Sequence, residues 1–145
     1  MTTSTTATTV DPPRLRAARC LAAAIAVVTA AISLAFLFAP SFSLDNIATY
    51  TPRNDHLLAD IGAFQIAIAL ALAAFAWRPD QWLLPWVALG AQSLHAFSHV
   101  RDDLVGARAA GSDGFASAAP NLVSWALVAT VVVLATPRPT APRPD

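Results

Sequence analysis

Four long stretches without a charged residue dominate the sequence and restrict what the chain can fold into. Each stretch has 17 to 22 residues, and a helix needs roughly 20 apolar residues to cross the hydrocarbon core of a bilayer. Because lipid offers no hydrogen-bond partner to an open strand, these stretches should be helical. The pattern predicts an all-α fold, a four-transmembrane-helix bundle whose antiparallel helices run up and down. The stretches cover residues 21–39, 61–77, 82–100 and 115–136.

The composition excludes several classes of protein. Only 12% of the 145 residues are charged, and nine arginines balance nine aspartates, so the basic surface typical of nucleic-acid binding is missing. Cys20 is the single cysteine, which excludes an internal disulfide and a Cys-x-x-Cys motif. The absence of lysine and glutamate, with abundant alanine and proline, favours a GC-rich bacterial genome. We therefore expect a multi-pass protein of a bacterial plasma membrane, surrounded by the lipid bilayer and without a nucleic-acid partner.

The ends of the chain differ in composition from its middle. Residues 1–14 form a Thr-rich arm and residues 137–145 a Pro-rich tail, and both are expected to be disordered. Residues 15–136 form the membrane domain, in which Ser43 is expected to cap one or two interfacial helical turns. The first apolar stretch exceeds the roughly 7–15 residues of a signal peptide, which favours an uncleaved helix over a cleaved leader. The expected transmembrane helices cover about residues 15–39, 57–77, 82–101 and 115–136.

The arginines predict the orientation of the chain in the membrane. Loops on the cytoplasmic side of a membrane carry an excess of basic residues. With the N-terminus inside, six arginines lie in the cytoplasm and three outside, so both termini are predicted to be cytoplasmic. Trp77, Trp82 and Trp86 flank the short turn at residues 78–81, as an interfacial aromatic belt would. That turn makes the second and third helices antiparallel neighbours.

Ionisable side chains converge at the predicted outer end of the bundle. His56 opens the second helix and Asp60 lies one turn further in. His95, His99 and Asp102 share one face of the third helix, at about 100° per residue. An ionisable group inside an apolar stretch is costly and usually faces a partner or a cavity. We therefore expect these five residues to form one polar site, with Asp60 and His95 as the closest pair.

The chemistry of these side chains suits a metal ion. Two imidazoles four residues apart on a helix can ligate one ion, so His95 and His99 are candidate ligands. His56, Asp60 and Asp102 are candidates for the remaining positions or for holding an imidazole tautomer. Nitrogen and oxygen donors suit zinc, iron, manganese or copper(II). A b-type haem is the other candidate cofactor, and it would need axial histidines from two helices, with His56 opposite His95 or His99.

The same residues also have a purely structural interpretation. Polar side chains at helix ends often reach into the headgroup layer without any function, which applies to His56, His99 and Asp102. An Asp60–His95 contact would then only lock the second helix to the third. On the fourth helix, Ser117, Asn121 and Ser124 are typical of hydrogen bonds between helices. The sequence leaves the functional and the structural interpretation open.

Two pieces of the sequence resemble a known group of proteins. One runs from Asn54 to Phe64 with the pattern Asn-x-His-x-x-x-Asp-x-Gly, and the other from Leu94 to Asp102 with His-x-x-x-His. Together with the four apolar helices, they make residues 15–136 resemble small four-helix membrane proteins of actinobacteria, in the DoxX-like group. The resemblance implies the four-helix fold and, from some DoxX-type proteins, a link to quinone-coupled oxidation. It assigns no catalytic position.

Three classes of function follow. The first is a metal- or haem-binding membrane protein with redox chemistry linked to quinone. The second is a non-catalytic scaffold or accessory subunit, whose His/Asp cluster fixes helix packing or binds a membrane-protein partner or a second copy of the chain. The third is a zinc-dependent membrane hydrolase, for which three histidines and an aspartate are suitable ligands. Bound metal or a haem spectrum would separate the first and third classes from the second.

Overall fold

Five α-helices account for 88% of the residues that the computed structural model describes, and no strand occurs among them. The described residues are 10–48, 53–105 and 118–137. The predicted all-α class is confirmed for this part of the chain. The helices are α1, Pro12–Phe38; α2, Pro40–Asn46; α3, Asp55–Trp77; α4, Leu83–Val105; and α5, Ala118–Ala135.

Three of these helices, α1, α3 and α5, are long and apolar enough to cross a membrane. The prediction of four such spans is therefore confirmed for three of them. α4 has 23 residues, the same length as α3, but polar side chains lower its mean hydropathy. They lie from Gln92 onward, at Gln92, His95, His99, Arg101, Asp102 and Asp103.

Local sequence signals determine the helix boundaries. α1 begins at Pro12 and not at the predicted residue 15, because proline suits the first turn, where its missing N–H has no intrahelical partner. Asn54 caps α3, since its side chain accepts a hydrogen bond from the Leu57 N–H at 3.0 Å. α4 continues to Val105, four residues past its predicted end. Most of the predicted arm, the tail beyond residue 137 and the predicted start of the last helix lie outside the described residues.

The short helix α2 packs its apolar side against the longer helices. The prediction that Ser43 caps these turns is wrong: α2 begins at Pro40, and Ser43 lies fully buried inside the helix. Leu44 joins Phe36 and Leu58 in a small buried apolar cluster. The segment after α1 is thus part of the packed protein and not a free surface turn.

Arg53 connects α2 to the start of α3. Its guanidinium donates to both carboxylate oxygens of Asp55, at 2.6 and 2.8 Å, and to the Ser41 hydroxyl at 3.1 Å. The hydrogen bond to Asp55 raises the pKa of Arg53 above its ordinary value. Because all these groups are exposed, the contacts order the connection more than they stabilise the fold.

Side-chain hydrogen bonds at one end of the molecule show the directions of the helices. Arg14 Nη2, near the start of α1, donates to the Val133 carbonyl near the end of α5 at 2.7 Å. Arg19 Nε donates to the Ala76 carbonyl near the end of α3 at 2.9 Å. α1 therefore runs opposite to both helices. We call this end of the molecule, which holds Arg14, Arg16, Arg19 and Arg78, the arginine end.

At the opposite end, α4 is joined to α5. Trp125 Nε1 donates to the Ser93 hydroxyl at 2.9 Å. The N–H of Ala118, the first residue of α5, donates to Asp103 Oδ2 at 3.0 Å, so a neighbouring helix caps α5. Among the described helices, α1 and α4 each contact α3 and α5 but not each other. We call the end that holds His56, His95 and His99 the histidine end.

α3 approaches α1 closely at Gly62. A Cβ atom there would lie 2.9 Å from the Ser33 carbonyl oxygen of α1 and 3.1 Å from Phe36 Cβ and Leu37 Cγ. Small residues permit such close backbone contact between helices. The larger of the two apolar clusters lies on the arginine side of this contact and includes Ala18, Ala22, Ile68, Leu72, Phe75, Val128 and Val131.

We expect Gly62→Ala to lower the free energy of unfolding by roughly 1–3 kcal/mol, because the added methyl group meets the Ser33 carbonyl and pushes α1 and α3 apart. Gly90→Ala is the matched control. No atom lies within 4 Å of a Cβ at that position, and alanine favours the helix, so stability should not fall. Unfolding of the detergent-solubilised protein by SDS measures both variants. Equal stability of the two would contradict the close packing at Gly62.

Candidate ligand cavity

A cavity of about 410 Å³ lies between the helices, toward the histidine end. Each of the four long helices contributes side chains to its wall, and the segment after α2 closes one side. Its volume falls within the range of roughly 300–1,000 Å³ that is typical of small-molecule sites. The wall consists of Thr29, Ile32, Phe36, Ile47, Ala48, Ile61, Gln65, Gln92, His95, His99, Pro120, Asn121 and Ser124.

The cavity wall combines apolar and hydrogen-bonding side chains. Ile32, Phe36 and Ile61 form apolar surfaces. Sites for small organic molecules typically have this composition, mostly apolar with a few placed polar groups. Among the wall residues that the structure describes, the two histidines are the sole ionisable ones. The uncharged hydrogen-bonding groups are those of Thr29, Gln65, Gln92, Asn121 and Ser124.

The imidazole pair expected from the sequence lies in this wall. His95 and His99 are one turn apart on α4, with ring centroids 4.8 Å apart and ring planes nearly perpendicular, at 86°. Phe64 on α3 contacts the His95 ring at a centroid distance of 5.7 Å. An imidazole can donate or accept a hydrogen bond and can transfer a proton near neutral pH. The pair therefore supplies the main reactive groups of the cavity.

Gln92 lies one turn before His95 in the same wall. Its side chain is 1% exposed, and its Oε1 is buried with no hydrogen-bond partner among the described residues. An unpaired buried polar group costs about 1–3 kcal/mol. Buried polar side chains in native proteins generally have partners. The Gln92 amide is therefore a group that a bound molecule in the cavity could stabilise.

The other three predicted site residues lie outside the cavity wall. Asp60 and His95 border a second, open groove between α3 and α4, so the expected pair does share one surface. His56 Nε2 lies 3.6 Å from Asp60 Oδ2, and both side chains are mostly exposed. Asp102 is exposed on α4. The structure thus brings four of the five predicted residues, His56, Asp60, His95 and His99, together in overlapping pairs.

A metal ion needs more ligands than this arrangement supplies. Within residues 10–48, 53–105 and 118–137, no three His, Cys, Asp or Glu side chains form a group that could hold a metal ion. His95 and His99 supply two nitrogens, whereas protein zinc sites have three or four protein ligands. A haem between two helices fits poorly as well, because His56 does not line the cavity. The five-residue metal site, with zinc, iron or haem, stays a prediction.

Part of the cavity wall was not recognised in the sequence. Gln65 lines the cavity from α3, and the available signal was its position as the lone amide in the apolar stretch 61–77. Asn121 and Ser124 were interpreted as contacts between helices, and both also line the cavity. Nothing in the sequence indicates that Thr29 on α1 lines a cavity, because a threonine hydroxyl in a membrane helix usually donates to its own helix backbone.

Charge is distributed unevenly between the two ends of the molecule. Among the described residues, the arginine end has four arginines and two aspartates, whereas the histidine end has two arginines and five aspartates. The charged residues described at the arginine end therefore carry a net positive charge, four arginines against two aspartates, and those at the histidine end a net negative charge, five aspartates against two arginines. The arginine-end charges are Asp11, Arg14, Arg16, Arg19, Arg78 and Asp80; those of the histidine end are Asp45, Arg53, Asp55, Asp60, Arg101, Asp102 and Asp103.

Comparison with known proteins gives no relative from which a function could be transferred. No protein-family model, curated protein or solved structure matches the chain. The resemblance to the DoxX-like group therefore stays a prediction, and the functional argument depends on the cavity and its residues.

Proposed function

We propose that this chain is an integral membrane protein that binds a small molecule in the cavity between its helices. The observation that carries the proposal is the buried Gln92 amide beside His95 and His99 in the wall of a 410 Å³ cavity. Polar groups inside an apolar helix assembly are costly and usually serve a partner or a ligand. A purely structural role would require hydrogen-bond partners within the protein, and Gln92 Oε1 has none among the described residues.

The proposal includes the arrangement of the chain in the membrane. All four long helices cross the bilayer as an antiparallel bundle. In this bundle α4 packs its polar face against α3 and α5, away from lipid. The arginine end faces the cytoplasm of a bacterium, because basic residues are retained on that side of a plasma membrane. Both termini are then cytoplasmic, and the cavity opens toward the outer leaflet. The opposite net charges of the two ends support this orientation.

Metal binding linked to redox chemistry is the second candidate function. The observation that favours it is the contact between the His95 and His99 rings, which places two nitrogen ligands side by side. Further ligands would have to come from a bound molecule or from residues beyond the described ones. Both a quinone-linked redox reaction at a metal and a zinc-dependent hydrolysis require metal binding by this pair. A single metal-binding measurement therefore bears on both.

A scaffold without a ligand is the third candidate. Ser93 and Asp103 each bond a group on α5 across the helix boundary, which shows that polar side chains of α4 do fix helix packing. The scaffold proposal accounts for these two contacts. It gives no role to the unpaired oxygen of Gln92.

We expect the topology to place both termini in the cytoplasm. Green fluorescent protein fused after Asp145 should fluoresce, and alkaline phosphatase inserted within residues 106–114 should be active, since each reporter works on one side of the membrane. As the control, the two reporters are exchanged: alkaline phosphatase after Asp145 and green fluorescent protein within residues 106–114 should both be inactive. An exported C-terminus would overturn the orientation and the assignment of the cavity to the outer leaflet.

We expect Ser124→Cys to react with N-ethylmaleimide in membranes, because a cysteine in the cavity wall is reached by water and can form the reactive thiolate. Cys20 is exposed, so both variants carry Cys20→Ala. Ser33→Cys is the matched control and should stay unlabelled, since Ser33 is fully buried and does not line the cavity. Protection of both cysteines would show that no molecule reaches the cavity and would refute ligand binding.

If the imidazole pair holds a metal, cobalt(II) should give a visible absorption band with the purified protein. The band should weaken below about pH 6, because an imidazole ligates metal only when neutral. His95→Ala should abolish the band, whereas Ser98→Ala should keep it, since Ser98 is exposed and bonds its own helix. No band at any pH, with His95→Ala lowering the melting temperature instead, would favour the scaffold.

A further inference from the structure

An open groove on the outside of the molecule lies directly against the cavity. It runs between α3 and α4, has a volume of about 400 Å³, and is bordered by Phe64, Ala91 and Leu94 together with Asp60, Ile61 and His95. Ile61 and His95 also line the cavity. The side chains of these two residues therefore separate the groove from the cavity.

We propose that the ligand is an uncharged amphipathic molecule with a hydroxyl group, and that it reaches the cavity from the lipid through the α3–α4 groove, past Ile61 and His95. This inference rests on the proposed ligand-binding function and specifies its ligand class and its route of access. It is carried by three features of the described residues: the chemistry of the cavity wall, the amide of Gln92, and the wall that groove and cavity share.

The cavity wall determines the charge of the ligand. Apart from the two imidazoles, no ionisable side chain lines the cavity, so the described wall offers an ionic ligand no arginine or carboxylate partner. A charged group buried without a partner is strongly disfavoured in an apolar medium. Ile32, Phe36 and Ile47 instead offer an apolar surface to a hydrocarbon body.

The hydrogen-bonding groups of the wall determine the polar part of the ligand. The amides of Gln65 and Gln92 each have both a donor and an acceptor, and a neutral imidazole likewise has one of each. The buried oxygen of Gln92 requires a donor. A hydroxyl both donates and accepts, so it matches this set better than an ether or a bare carbonyl.

The packing around the cavity determines the route of access. On the α2 side, Ala48 packs against the buried cluster of Phe36, Leu44 and Leu58. On the α3–α4 side, the groove is open, and Leu94 at its border is 74% exposed. In a membrane this apolar border faces lipid, while the carboxylate of Asp60 marks the rim nearer the headgroups. A lipid-soluble molecule that enters the groove therefore meets the cavity wall at Ile61 and His95.

Three probes of similar size test the ligand class by equilibrium binding to the full-length protein in nanodiscs at about pH 7. β-Naphthol is a neutral phenol at this pH, naphthalene lacks the hydroxyl, and β-naphthoate is charged. We expect β-naphthol to bind most tightly and β-naphthoate least. Gln92→Leu, which keeps the size of the side chain, should weaken β-naphthol binding by about tenfold and leave naphthalene binding unchanged.

Each contrary result in the probe series overturns a stated part of the inference. Equal binding of naphthalene and β-naphthol overturns the hydroxyl requirement, and binding of β-naphthoate as tight as that of β-naphthol overturns the requirement for a neutral ligand. If Ser124→Cys is labelled but no probe binds, the ligand class is wrong while the cavity remains a site. If Ser124→Cys stays unlabelled, the proposed function itself fails.

The route is tested by the association rate of β-naphthol. Ile61→Ala removes part of the barrier between groove and cavity and should speed association severalfold, whereas Ile61→Phe should slow it. Leu70→Ala is the matched control, an aliphatic truncation on α3 at an exposed position that lines neither the groove nor the cavity, and it should leave the rate unchanged. A faster rate in Leu70→Ala as well, or the wild-type rate in both Ile61 variants, would overturn lateral access. The pair of Ile61 variants, smaller and larger, keeps the test valid if one of them folds poorly.

Discussion

Arg14 and Arg19, near the start of α1, hold the end of the molecule that lies farthest from the cavity. The last four carbonyls of a helix have no intrahelical partner, and leaving such groups unpaired in an apolar medium is costly. Arg14 bonds one of these carbonyls on α5 and Arg19 one on α3, so a single helix fixes the ends of two neighbours. α4 contacts those two neighbours and not α1 among the described residues, and its position follows from theirs.

The change of side chains along the helices explains why the cavity between the four long helices lies toward the histidine end. Near the arginine end, interior positions carry branched and aromatic residues such as Leu72, Phe75 and Val128, which fill the space between helices. Toward the histidine end, interior positions carry Gln65, Gln92 and other hydrogen-bonding side chains. Amide side chains fill the space between helices less completely than branched apolar side chains do. A cavity therefore remains between the helices at this level.

The sequence predicted the helices well because lipid-spanning length and missing charge are properties of single segments. It also predicted the contact of His95 with His99, which depends on one helix alone. The five-residue site stays a prediction, because it depends on how α3 is rotated against α4 and not on one segment alone. That rotation presents Asp60 to the outer groove, while Gln65 faces the cavity. Such rotations arise from packing at positions like Gly62, which no spacing rule reveals.

The short connection between α3 and α4 affects how these two helices insert into a membrane. α3 ends at Trp77 and α4 begins at Leu83, and hydrogen bonds from Gln81 N–H to Arg78 and from Leu84 N–H to Gln81 close the turn. α4 is the least apolar of the long helices, whereas α3 alone is long and apolar enough to cross a membrane. If α4 crosses the membrane, as we propose, the favourable partitioning of α3 into lipid can insert both helices together as one helical hairpin. Lengthening this link would separate the two insertion events and leave α4 to partition alone.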